Sequence, residues 1–195
     1  MASTWLITRF DYRRYVSIRP LVRPARDAAA FHKAAFDSST EAIARSVEEG
    51  ALSPADARAA FVQSACCVGQ PLTFDGGLPR LVIELGRMDG GDQASEILES
   101  VVAGAHNLEN WLGAGSGLLG FLKPDEVRLL NDAFALCPSV SNAAFRTGGG
   151  VLSHLLGFTR RMVDKRPEWH EMLVPLSEFI TDAVQREDGI AVLEV

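Results

Sequence analysis

Apolar residues recur at three- and four-residue intervals through Asp92–Leu112, DQASEILESVVAGAHNLENWL, where Ile97, Val101, Ala105, Leu108 and Leu112 form one stripe and Val102 and Trp111 widen it. The spacing predicts one long helix of about 30 Å, at 1.5 Å rise per residue, around which other segments pack. Gly90 and Gly91 break the chain before it, Asp92 is placed to cap it, and Gly113 with Gly115 is placed to end it.

The same patterning assigns the rest of the chain. Thr4–Phe10, TWLITRF, is β-branched and aromatic and predicts a short strand, as does IAVLEV after Asp188-Gly189. The prolines of IRPLVRP predict extended chain between Tyr15 and the first helix. ARDAAAFHKAAF and SSTEAIARSVEEG read as helices, the second ending at Gly50; the next opens with Ser53 as cap and Pro54 at the first helical position, and Gly69 closes it. QPLTFDGG reads as a loop; LPRLVIELGRM is short and apolar, a pattern that fits either a buried helix or a strand, with Arg80, Glu84 and Arg87 among its apolar positions favouring helix. After the central helix, GAGSGLLG reads as a helix-to-helix connection, FLKPDEV starts a helix with Pro124 at its first position, and Cys137-Pro138 ends it. A brief helix over Ser139–Arg146, an amphipathic VLSHLLGFTRRMVDKR with a structural His154, and a last helix from Pro167 complete the series. The expected fold is α+β and mainly α: a helical bundle with a small sheet formed by the N- and C-terminal strands, in a single domain over residues 1–195.

Charge changes this picture in one respect. The net charge is −6, yet residues 1–26 hold six arginines against Asp11 alone, a local +5 that leaves −11 for the remainder. Such a balance argues against nucleic acid, whose phosphate backbone needs a broad positive footprint. The arginines are expected to meet either the acidic remainder of the same chain, the simpler account, or an acidic partner. No apolar run is long enough to span a bilayer and no secretory leader pattern is present, so a soluble, cytoplasmic protein without membrane association is expected. Three cysteines, Cys66, Cys67 and Cys137, show no CxxC spacing and read as reduced thiols. Cys66 and Cys67 sit where a helix C-terminus opposes thiolate, which argues against a nucleophile.

Candidate chemistry is sparse. On a continuous central helix, Glu99 and His106 are seven residues apart and share a face, with Glu109 close by. Carboxylate and imidazole suit a divalent transition metal or acid/base exchange near neutral pH, so Glu99, His106 and Glu109 are the candidate metal ligands, and His106, Glu99 and His170 the candidate catalytic groups. Glu168 and Glu171, beside His170, are further potential donors. The plainer reading is a solvated helix edge with an ordinary His106–Glu109 pair and an acidic first turn at Glu168–Glu171. Gly115, Gly117 and Gly120 fit the letters G-x-G-x-x-G, but they follow a helix rather than a strand, so no nucleotide or other cofactor is expected there. The small residues of that segment also suggest an apolar ligand pocket beside Trp111 and Phe121.

The opening strand ending in Phe10-Asp11, the helix start FLKPDEV and the closing DGIAVLEV resemble the YfbM-like family of uncharacterised bacterial proteins. The resemblance covers the first dozen residues and parts of 120–195; it implies a compact α+β domain with a small sheet and brings no catalytic residues. The functional expectation is therefore a non-catalytic intracellular binding or accessory protein acting on a protein partner, immunity-type or regulatory in kind. The alternative is an enzyme with a metal or acid/base site on the central helix.

Overall fold

Strand β1 (Thr4–Phe10) alternates its side chains between two apolar environments, and the whole fold follows from that alternation. Trp5 and Ile7 face one hydrophobic cluster, while Leu6 and Phe10 face another. In β4 (Gly189–Glu194), Ile190 and Val192 join the first cluster, Ala191 and Leu193 the second. A strand whose two faces are both apolar has to lie between two layers of helices. The computed structural model describes residues 4–75, 78–106, 112, 117–137 and 167–194. In that range eight helices and an antiparallel four-stranded sheet make an α+β, mainly α architecture, as expected.

One face of the sheet is covered by α1 (Tyr12–Val22), α2 (Ala28–Ala34), α3 (Ser38–Glu48) and α4 (Pro54–Cys66). The other is covered by α5 (Leu78–Gly86), α6 (Asp92–Val102), α7 (Pro124–Leu136) and α8 (Pro167–Gln185). The terminal strands pair with each other as expected, Trp5 opposite Glu194 and Phe10 opposite Gly189. The sheet is larger than two strands, however. β2 (Cys67–Asp75) flanks β1 and β3 (Leu118–Leu122) flanks β4, giving the order β2-β1-β4-β3.

Both added strands correct the sequence reading. Gly69 does not close a helix, and QPLTFD is strand rather than loop: Leu72 and Phe74 alternate onto the α5–α8 side, and Pro71 is tolerated because β2 is an edge strand. The register slips between Ile7 and Arg9, where Gly69 adopts a φ of +78° with the Arg9 guanidinium over it. The segment read as a helix-to-helix connection contributes its last residues to β3, where Leu118 and Phe121 are buried on the α1–α4 side.

Two further corrections concern helices. The residues around IRPLVRP are not extended but helical. Asp11 accepts the Arg14 amide at 2.8 Å, and Tyr15, Ile18 and Val22 bury one stripe, so α1 continues through Pro20. Pro20 lies in the last turn on the exposed side, where its missing N–H costs one hydrogen bond that water can replace. The central helix stops ten residues early, at Val102. Gly104 takes a φ of +87°, its N–H donates to the Val101 carbonyl at 3.0 Å, and the Ala105 N–H donates to Ser100 at 2.7 Å. This pair of bonds is a Schellman close. The same device ends α3, where Gly50 donates to Val47 and Ala51 to Ser46. The expected segments over Ser139–Arg146 and residues 151–166, with His154, lie outside the described residues.

Candidate functional site

Because α6 ends at Val102, His106 is not on the same helix as Glu99. Glu99 stays on the exposed surface of α6, and His106 sits in the turn after it, with a φ of +60°. Glu109 and Trp111 lie outside the described residues, and the side chains of Glu168, His170 and Glu171 do as well, although their backbone forms the start of α8. The superposition of Glu99 and His106 expected from a continuous helix is therefore absent.

His106 finds a different carboxylate. Its Nε2 lies 2.8 Å from Oε1 and 2.7 Å from Oε2 of Glu126, in the first turn of α7. Glu126 is itself fixed, because its Oε2 accepts the Lys123 amide at 2.8 Å, an N-terminal capping contact that also suits the helix dipole. The imidazole rests on the Phe121 ring, centroids 5.0 Å apart. Phe121 is the hub of an aromatic cluster with Phe10 at 4.9 Å, Tyr15 at 5.2 Å and Tyr12 at 5.9 Å.

Glycines allow this approach. A Cβ on Gly120 would lie 2.7 Å from the Val101 carbonyl and 2.9 Å from both the amide and the carbonyl of Ala105, so only glycine lets the turn lie flat on β3. The Phe121 N–H then donates to the Ala105 carbonyl at 3.3 Å. Gly104, His106 and Gly120 thus position one imidazole between a carboxylate and an aromatic ring. Chemically the arrangement is an oriented His–Glu dyad with side chains 27% and 30% exposed. It can bind or pass a proton, and it also works as a tether between the α6 turn and the start of α7. Among the described residues no three His, Cys, Asp or Glu side chains are grouped to hold a metal ion.

Cys66 and Cys137 are buried and Cys67 is partly buried. Cys66 is fully buried at the end of α4, and burial raises its pKa; burial likewise pushes Cys67 up to about 12. Neither is poised as a thiolate nucleophile.

The arginine-rich start divides into two groups. Arg9 pairs with Asp188 at 3.1 Å and reaches Asp182 at 3.6 Å; Arg13 pairs with Glu187, and Arg14 with Asp11 at 3.7 Å. Burial still leaves the Asp188 carboxyl raised, because desolvation outweighs the Arg9 charge beside it. Intramolecular neutralisation, as expected, accounts for these three arginines. Arg19, Arg23 and Arg26 are exposed and make no ion pair among the described residues. Sequence reasoning treated the six alike; the helical spacing that places Tyr15, Ile18 and Val22 inward was the signal that separates them.

Among the described residues no helix is long and apolar enough to cross a membrane. No protein-family model, no curated protein and no solved structure matches this chain.

Proposed function

We propose that the chain is a non-catalytic intracellular binding or accessory protein that acts on a protein partner, in an immunity-type or regulatory role and in the cytoplasm. The observation that carries this reading is the division of the arginines. Arg9, Arg13 and Arg14 are neutralised within the fold, while Arg19, Arg23 and Arg26 stay exposed on a chain that is otherwise acidic. Unneutralised charge of one sign on one surface steers a partner of the opposite sign. The test is cross-linking of the tagged whole chain in its source lysate, followed by reconstitution from two purified proteins and native mass spectrometry. A stoichiometric heterocomplex is expected; failure of every cross-linked candidate to reconstitute overturns the reading.

The His106–Glu126 dyad favours a second reading, an enzyme using acid/base or metal chemistry at the end of α6. Elemental analysis of the tag-free protein decides it for a metal. A stoichiometric transition metal that is lost in His106→Ala supports the enzyme, and a metal-free wild type removes the metal form of it.

A further inference from the structure

The outward side of α1 combines features that the fold itself does not use. Tyr15, Ile18 and Val22 point inward, which leaves Val16, Ser17, Pro20 and Leu21 outward. Val16 is 51% and Leu21 45% exposed. Single exposed apolar residues are ordinary; Val16 and Leu21, five positions and so about 140° apart round the helix, stand at the two edges of its outward side with Ser17 and Pro20 between them. Pro20 has no N–H, so the Val16 carbonyl lacks its usual helical donor on this same side. Arg19 and Arg23, four positions apart, lie together along the Val16 edge, and Arg26 follows. At the N-terminal half, the Arg14 guanidinium lies 4.7 Å over the ring of Phe36, another exposed apolar side chain at 44%. Arg14 is already paired with Asp11, so Phe36 adds apolar area at this end while Arg19, Arg23 and Arg26 carry the charge.

We infer that the outer face of α1, from Val16 to Arg23 with Phe36 alongside, docks an acidic segment of a protein partner that also carries apolar side chains. This rests on the partner-binding reading above and names the surface and the occupant. Charge decides the occupant: the face is basic on a chain of net charge −6, so its complement is anionic. The apolar residues decide the class. Val16, Pro20 and Leu21 gain nothing from phosphate, whereas an acidic peptide with leucine or phenylalanine at helical or alternate spacing covers them and pairs the arginines together.

The test uses the whole chain and a fluorescein-labelled synthetic peptide of about 12 residues in which Asp and Glu alternate with Leu and Phe, followed by anisotropy. Two controls carry the same acids with Ser for every apolar residue, or the same apolar residues with Asn and Gln for every acid. The variants are Arg19→Ser with Arg23→Ser, and Val16→Ser with Leu21→Ser; all four positions are exposed, and circular dichroism checks that each double variant folds. The expected result is binding that weakens about tenfold or more in either double variant, and as much with either control peptide, corresponding to roughly 1.4 kcal/mol. The arginine variant should also flatten the salt dependence of binding. No binding by the acidic apolar peptide, or binding indifferent to both double variants, overturns the proposal. So does tighter binding of duplex DNA or of anionic lipid vesicles, lost in the arginine variant. A reconstituted heterocomplex that both double variants form as well as wild type removes α1 as the site and leaves the partner-binding role intact.

Discussion

Gly120 of β3 passes so close to the end of α6 that a Cβ would sit 2.7 Å from the Val101 carbonyl oxygen. Backbone faces backbone there, so no side chain can swing aside. Gly120→Ala is expected to destabilise by about 1–3 kcal/mol, the usual range for overpacking. Urea unfolding of the variant against wild type measures it. An unchanged midpoint would mean that the α6 turn does not rest on β3.

His106 and Glu126 form a partly exposed pair whose imidazole lies against the Phe121 ring. His106→Ala should cost about 0.5–1 kcal/mol, and a double-mutant cycle with Glu126→Gln should return a coupling of about 0.2–1 kcal/mol. Zero coupling would show that the two side chains do not meet in solution.

Glu187 occupies the left-handed position that closes α8, with a φ of +57°, where its N–H donates to Val184 and the next amide to Ala183. Glycine is the residue that this close prefers, and relieving the strain is worth about 1 kcal/mol. Glu187→Gly also removes the contacts to Arg13 and Arg128, but Arg13 is 81% and Glu187 53% exposed, so each contributes little. The variant should therefore raise Tm in a thermal melt despite losing two ion pairs.

Cys67 retains its proton in the folded state up to about pH 12. An unfolded thiol titrates near about 8.5, so between those values the folded state binds the extra proton. The resulting stability is fully present below about pH 8.5 and is lost as pH rises towards the folded value. Unfolding free energies measured between about pH 7 and 10 should fall, and Cys67→Ala should blunt the fall. Alkylation by iodoacetamide under native conditions at neutral pH should be slow, and fast labelling of Cys67 would contradict its raised thiol pKa.

The parts legible in the sequence were those written in local chemistry. Ser53, Pro54, Gly50 and Pro124 mark helix ends by side-chain hydrogen bonding, fixed φ or, for Gly50, free access to positive φ, and all four stand where that chemistry puts them. Gly104 carried the same kind of signal, but the apolar stripe continuing to Leu112 masked it. Pro20 misled in the opposite sense, since Asp11 and the spacing of Tyr15, Ile18 and Val22 already described a helix. β2 and β3 were not legible, because Leu72 and Phe74 or the short LLGFL become strand only when β1 and β4 offer edges to pair with. The same holds at the dyad: His106 could be read as a candidate, whereas Glu126 becomes its partner only through the crossing at Gly120.

The strands at the middle of the sheet are β1 and β4, so the innermost hydrogen-bonded ladder joins residues 5–10 to residues 189–194. During synthesis β1 emerges early and waits, its β4 side unpaired, until residues 189–194 have left the ribosome. Such separation along the chain slows closure, since a very large loop is drawn shut before the ladder rewards it. A nascent chain halted before residue 189 would display both the bare flank of β1 and the apolar undersides of two helical layers, which makes it a client for chaperones.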